Sequence, residues 1–377
     1  METHLLVLAS SLPAAVRCVV CCVDASPDYL ARLTALGIAH VNLACPSLVR
    51  PGAVQAGRQV MQLVKEFEPH VVHSYGFSAD LVATLLRLRG VPARMITSRR
   101  GEERNRRHQT IRRLVNRLSD RIVCVSPETA AFVDATEAPA ARLLQVIPNG
   151  VAPHPASAVR THRRRMSTSG VDVASRTDAP VRFGTLGTVK PIKGTDFLVD
   201  AFLQFPRDRH VELVVAGLID RPWAEALRDR AAADPRIRFV GRTSTPREFL
   251  TELDVFVLPS RSEGMSNALL EAMAAGLPCI ATDVGSNRSV LAPAGEVAAG
   301  LVTEPSADAL FTAMDAMARA PEVRARFGTL GAALAGSRYT IPAMVQQYEQ
   351  LYRSVIGQPA RQPAVVDNAA DKTYVTQ

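Results

Sequence analysis

The chain of 377 residues is poor in aromatic side chains, in lysine and in long apolar runs. Aromatics amount to 5% of it, and no nucleic-acid recognition module accompanies the net charge of +8, which argues against nucleic acid as a partner. No uninterrupted apolar run reaches the ~20 residues that a membrane-spanning helix needs. Cysteine is confined to positions 18, 21, 22, 45, 124 and 279, mostly inside apolar runs where a buried reduced thiol is the default. Cys18, Cys21 and Cys22 are grouped, but no second Cys/His pair is spaced to complete a zinc site. Lysine stands only at 65, 190, 193 and 372, whereas arginine is abundant. A secretory leader is suggested by Leu5–Leu12 followed by Ala14 and Ala15, yet Glu2 stands where a basic segment belongs.

What the chain does have is a repeated alternation of apolar strand-like runs with helical stretches. Its length is too great for one ordinary core and suits two α/β domains. In the first half, strands are predicted at 17–23, 40–44, 70–74, 94–97, 121–125 and 144–148; in the second, at 181–186, 212–216, 237–240, 255–258, 279–282 and 300–302. Such alternation predicts parallel sheets with helices on both faces, arranged as two Rossmann-like, doubly wound halves facing across a cleft. The domains read as 1–151 and 181–338, joined by a Pro/Ser/Thr/Arg-rich linker at 152–180. Residues 357–377 lack apolar periodicity and read as a disordered tail.

One stretch carries most of the chemical information, Asp254 to Gly285 (DVFVLPSRSEGMSNALLEAMAAGLPCIATDVG). An apolar run, Val255–Leu258, reads as a buried parallel strand ended by Pro259. A polar loop with Glu263 follows, then a helix opening at Ser266 and Asn267 and closing at Gly276. Free backbone N–H groups of 264–267 and the helix dipole favour an anion beside Glu263, and Glu271 lies one to two turns further in. Two carboxylates next to an anion nest suit a ligand that has both phosphate and several hydroxyls, such as a nucleotide sugar. The plain alternative is an exposed helix with two solvated glutamates; the Glu-Gly pair, the flanking strands and the small-residue helix weigh against it.

A second loop has matching chemistry. Gly187 ends a strand, and Lys193-Gly194 opens a helix. A compact ammonium beside a helix N-terminus suits a diphosphate.

These segments resemble the retaining GT-B glycosyltransferases of the group 4 class, with their Glu-x7-Glu motif. LLQVIPNGV (143–151), FGTLGTVKPIKGTDFLVDAF (183–202), Gly300–Pro305, Tyr339 and Tyr348–Tyr352 extend the resemblance over most of residues 1–356. It implies an acceptor-side N-terminal domain, a nucleotide-sugar-binding C-terminal domain, and a helix at 339–356 that packs back toward the first. It also implies a first strand and a Gly-Gly loop ahead of a helix that often begins Met-Glu-x-His. Residues 1–12 read as that helix, so the first strand and glycine loop are expected to be missing from the chain as written.

Roles follow from the same resemblance. Lys193 would contact the donor diphosphate, Glu263 the sugar hydroxyls and Glu271 the ribose. The backbone of Gly264, Met265, Ser266 and Asn267 would cradle sugar or phosphate oxygens, and Arg242, after Gly241, would approach the nucleobase. An exposed salt bridge is the plain reading of Arg242. Three positions depart from the pattern: Thr188 after Gly187 where an arginine is common, Leu218-Ile219 after Gly217, and Ser289 in place of a glutamate. Lys190 either compensates for Thr188 or is a solvated surface lysine. No Asp-x-Asp occurs, so no divalent metal is expected, and no cofactor beyond the nucleotide-diphosphate sugar.

The acceptor side is less legible. His73, Arg99 and Arg100 fall at predicted strand ends beside the cleft, where His73 reads equally as an acceptor ligand or a packed histidine. From Arg99 to Arg121 there are nine arginines, with Ile111, Leu114, Val115 and Leu118 at helical spacing. That helix either lies on an anionic membrane near a sugar or lipid-linked acceptor, or is an ordinary helix with its apolar stripe in the core. The expectation is a cytoplasmic transferase, peripheral at the inner membrane face, that builds surface polysaccharide or glycolipid. The alternatives are another GT-B enzyme (a nucleotide-sugar epimerase or a phosphorylase) and a truncated, non-catalytic relative.

Overall fold

The computed structural model describes residues 2–47, 52–154, 179–219, 221–243 and 245–357. Positions 155–178 of the expected linker and 358–377 of the expected tail lie outside the described residues.

The first half runs α1 (Glu2–Ser11), β1 (Val20–Cys22), α2 (Pro27–Ala35), β2 (His40–Asn42), α3 (Gly52–Phe67), β3 (Val71–Tyr75), α4 (Phe77–Leu88), β4 (Arg94–Arg99), α5 (Arg106–Leu118), β5 (Arg121–Cys124), α6 (Pro127–Glu137) and β6 (Leu144–Val146). Its strands are all parallel but lie in two pieces, β1-β2 and β3-β4-β5-β6. Among the described residues β1 and β3 each keep one edge without a strand partner.

The second half runs β7 (Val181–Leu186), α7 (Thr195–Phe202), β8 (Val211–Ala216), α8 (Pro222–Ala231), β9 (Ile237–Gly241), α9 (Pro246–Thr251), β10 (Val255–Leu258), α10 (Asn267–Ala274), β11 (Cys279–Thr282), α11 (Asn287–Leu291), β12 (Gly300–Thr303), α12 (Ala307–Arg319) and α13 (Pro321–Arg338). These six strands form one parallel sheet in the order β12-β11-β10-β7-β8-β9. Every residue of β10 and β11 is buried, which their unbroken apolar runs require in a sheet covered on both faces. From β7 the chain winds one way to β8 and β9, and from β10 the other way to β11 and β12. The switch point between β7 and β10 opens a crevice at their carboxyl ends.

A last helix, α14 (Ile341–Val355), crosses back to the first half. Its Met344, Val345, Tyr348, Leu351 and Val355 share a buried cluster with Leu8, Ile96, Val123 and Ile147. The crossing is pinned where Val151 N donates to Tyr339 O at 2.7 Å and Val151 pairs with Thr340. A methyl at Gly150 would come within 2.7–2.9 Å of the Thr340–Ile341 backbone, so only glycine permits this approach.

Two expectations are corrected here. Arg99 does not face the cleft: it is fully buried on the helix side of β4. Its guanidinium meets Asp80 at 3.1 Å, Glu137 at 2.9 Å and Asn116 at 3.0 Å. Arg112 closes the cluster, 3.3 Å from Asp80. The reason is position: Arg99 is the last residue of β4 and its side chain takes the helix side of the strand, whereas Arg100 is the first residue past the strand and stays at the cleft. Burial pushes the Asp80 carboxyl up, against the pull of Arg99 and the Ser74 hydroxyl. Because Arg112 takes an inward position, the predicted apolar stripe of α5 is turned. Val115 is buried, while Ile111 and Leu114 are 36% and 57% exposed beside exposed arginines.

Candidate active site

Lys193 and Glu263 come from the loops that leave β7 and β10, and those strands are hydrogen-bonded neighbours at the switch point. After β7 the chain makes a single turn, Pro191–Lys193, and Gly194 ends it at φ +63°. A methyl on Gly194 would be driven into the Pro259 carbonyl, which is why glycine must follow Lys193. After β10 the loop is held from below: Thr282 Oγ1 donates to Ser260 O at 2.5 Å, and Ser286 N to Gly264 O at 3.1 Å. Ser266 caps α10 by accepting from Leu269 N at 3.3 Å.

These two loops bring Lys193 Nζ to 2.7 Å from Glu263 Oε1. Ser260 Oγ donates to the same oxygen at 2.7 Å. The glutamate side chain is 9% exposed and the lysine 38%, so the carboxylate is fixed and the ammonium is open to the cleft. Around them lies a lobe of about 450 Å³, lined by Arg100, Asn149, Gly187, Thr188, Lys193 and Glu263, with the backbone from Gly264 to Asn267. It has the cations, hydroxyls and helix N-terminus that oxygen-rich ligands need.

A second lobe, also about 450 Å³, adjoins it and is lined by Glu271, Arg247, Thr245, Leu250, His154 and Ile341. Thr3 and His4 of α1, with Asn267, line both lobes and form their common wall. Asn267 Oδ1 is buried there with no hydrogen-bond partner among the described residues. Burial raises the Glu271 carboxyl above its ordinary value, and Arg247 pulls the other way.

The two halves of the molecule meet at this site. The Arg100 guanidinium bonds the Asn149 side-chain oxygen, and Asn149 Nδ2 donates to Met265 O at 3.2 Å. Gly264 lies against Arg100 so closely that a methyl would be driven into the Arg100 carbonyl. Arg100 Nη1 is buried and unpartnered among the described residues, and Arg100 lines the polar lobe.

Of the predicted site residues, Gly187, Thr188, Lys193, Glu263, Gly264, Met265, Ser266, Asn267 and Arg100 converge on the polar lobe, and Glu271 on its neighbour. Arg242 lines neither lobe; it makes an exposed ion pair with Asp28 at 3.0 Å. His73 also lines neither, because it sits inside β3 and not at its end. Its ring nitrogens lie 2.9 Å from Tyr352 Oη and 2.8 Å from Ser98 Oγ. Burial, helped by Arg100, lowers its pKa to about 3, so this packed histidine is neutral. Lys190 is exposed outside the cleft, and Ser289 Oγ donates to Ser286 O at 3.1 Å.

Sequence reasoning passed over Asn149, Arg247, Ser260, Thr3 and His4. The Pro-Asn-Gly at 148–150 was the available signal for Asn149. For His4 the signal was the Met-Glu-x-His at 1–4. Burial, with Arg100 next in weight, lowers the His4 pKa to about 2, and its Nε2 lies 3.3 Å from Tyr348 Oη.

Comparison with known proteins fits this geometry. Residues 180–319 match the glycosyl transferases group 1 family, and residues 1–154 match glycosyltransferase family 4. The lipopolysaccharide core biosynthesis mannosyltransferase LpsB of Rhizobium meliloti (strain 1021) is 30% identical over 67% of this chain and 70% of its own length. LpcC of Rhizobium leguminosarum bv. viciae, another lipopolysaccharide core biosynthesis mannosyltransferase, is 27% identical over 48% of this chain and 50% of its own length. Among solved structures, Anabaena Alr3699/HepE in complex with UDP and glucose superposes with a TM-score of 0.76 at 17% identity, covering 94% of this chain and 95% of that one. Two parallel-sheet halves, a cleft at the switch point and these matches together place the chain in the group 1/family 4 glycosyltransferases, with the GT-B fold.

Proposed function

We propose that this glycosyltransferase is a retaining enzyme that moves a sugar from a nucleoside diphosphate to a hydroxyl acceptor. The observation that carries the reading is the Lys193–Glu263 pair in a polar lobe that adjoins a second lobe holding Glu271. A nucleotide sugar has matching parts: sugar and diphosphate for the first lobe, nucleoside for the second. That HepE binds UDP and glucose supports a donor of this kind.

In this reading the donor displaces Lys193 from Glu263. The ammonium and the free N–H groups ahead of α10 take the charge that grows on the departing diphosphate, which is the main electrostatic task of the step. Glu263, freed from the lysine and still held by Ser260, accepts hydrogen bonds from the sugar hydroxyls. Glu271 accepts from the ribose, and Asn267 Oδ1 offers an unused acceptor between the two lobes. Transfer occurs on the donor's front face, with the leaving phosphate taking the acceptor proton. The chain lacks an Asp-x-Asp sequence, so the reading assigns charge neutralisation to Lys193 and the helix amides, without a divalent metal.

The names of LpsB and LpcC support an acceptor in lipopolysaccharide or another surface glycan. The turned stripe of α5 supports a cytoplasmic enzyme peripheral to an anionic membrane, with Ile111 and Leu114 entering the interface among exposed arginines. The test of the central reading is incubation with UDP-, GDP- and ADP-sugars of α configuration and a glycan acceptor extract, followed by NMR. An α-linked product with release of nucleoside diphosphate supports it; a β-linked product overturns retention.

A further inference from the structure

Arg261 and Asp196 line neither lobe, yet they tie together the loops that carry Glu263 and Lys193. Arg261 lies two residues before Glu263, and Asp196 is in the first turn of α7, three residues after Lys193. Arg261 Nη1 and Nη2 donate to Asp196 Oδ1 and Oδ2 at 2.7 and 2.6 Å, a fork-to-fork geometry that fixes direction as well as distance. Arg261 Nη1 also donates to Pro191 O at 2.6 Å, and its backbone N to Ile192 O at 2.9 Å. Its guanidinium stacks 3.7 Å from the centroid of Phe197. Every one of these contacts falls on residues 191–197, the turn that presents Lys193. Burial alone would raise the Asp196 carboxyl, but the bonds and charge of Arg261 outweigh it and hold it below the usual carboxylate range.

An isolated exposed ion pair contributes little. This one differs because a two-pronged bond, the Pro191 carbonyl and an aromatic face hold a single guanidinium, while the Arg261 backbone N–H is tied to Ile192 O. The lysine side chain is flexible and 38% exposed, so where its ammonium rests depends on where the backbone turn is held.

We propose that Arg261 and Asp196 are positioning residues whose clamp sets the placement of Lys193 opposite Glu263. The inference rests on the transfer reading for its consequence, that the clamp aligns the cation with the departing diphosphate. It does not need that reading for its geometry.

The test uses the full chain and the scarcity of lysine. Acylation of Lys193 by an amine-reactive reagent is followed by mass spectrometry, with exposed Lys65 of α3 as internal reference. In Asp196→Asn, Lys193 leaves its ion pair and its labelling rate relative to Lys65 rises roughly 5-fold, the weight of one modest ion pair. Transfer kcat falls roughly 10- to 100-fold, as for a misplaced catalytic group, while KM for the nucleotide sugar changes less than about 3-fold. The double variant Asp196→Asn/Lys193→Ala is no slower than Lys193→Ala alone, which a merely structural loss would not produce. Arg261→Gln, which removes the other half of the fork, shows the same pattern and covers the case in which Asp196→Asn does not fold. Unchanged labelling in both variants overturns the clamp. Raised labelling with no sugar transfer by the unsubstituted protein leaves the clamp standing and overturns the transfer reading instead.

Discussion

Lys193 and Glu263 lie 70 residues apart in sequence and 2.7 Å apart in space. Their meeting follows from topology: β7 and β10 are neighbours only because the chain reverses its winding between them. The pair stores a cation at the place where the reading puts the leaving group. Lys193→Ala and Glu263→Ala are each expected to lower kcat by roughly 100- to 1,000-fold, the scale for losing one preorganised charge-stabilising group. Steady-state transfer kinetics check this; transfer intact in both variants contradicts the proposed chemistry.

Glu271 should trade stability for binding. Burial raises its carboxyl, so the folded state holds a proton more readily than the unfolded chain. The sign is then fixed: this group adds stability at pH below its unfolded pKa and withdraws it as pH rises through the higher folded value. Glu271→Gln is expected to raise the Tm slightly at neutral pH while weakening nucleotide affinity. Nucleotide affinity of the unsubstituted protein should also fall on mild acidification, because the proton blocks the acceptor. Thermal melts and titrations at two pH values measure both.

The buried cluster of Arg99, Arg112, Asp80 and Glu137 makes a stability prediction. Arg99→Met leaves two buried carboxylates with one guanidinium between them, which typically costs about 3–5 kcal/mol. Denaturant unfolding should show the loss. Nucleotide affinity of the folded fraction should be unchanged, because Arg99 lines neither lobe.

Membrane contact through α5 is tested by Ile111→Ser/Leu114→Ser. Both side chains are exposed, so the core is untouched. Sedimentation with anionic vesicles should fall while transfer to a soluble acceptor is kept. Binding equal to that of the unsubstituted chain would assign the patch elsewhere.

Much of this was legible in the sequence because the signals are local. Unbroken apolar runs such as Val255–Leu258 and Cys279–Thr282 mark buried parallel strands, and the loop after each is short. Glu263, Glu271 and Lys193 were found because each stands at a fixed offset from such a strand. What was not legible depends on parity and on distant partners. Arg99 and Arg100 are adjacent and alike in sequence, but Arg99 ends β4 and turns into a cluster with Asp80 and Glu137, while Arg100, one residue past the strand, stays at the cleft. Arg242 was expected at the nucleobase, yet it pairs with Asp28, and it is Arg247 of α9 that lines the second lobe. His73 reads equally as an acceptor ligand or a packed histidine until Tyr352 of α14, 279 residues on, is seen against its ring.

The most direct test of the central claim is calorimetric titration of the chain with UDP, GDP and ADP, with Lys193→Ala as control. The account predicts that at least one nucleotide binds and that the substitution weakens it at least about 10-fold, the scale of a lost charge-assisted contact in a buried site. A folded protein that binds none of the three, or binds equally well without Lys193, would contradict it.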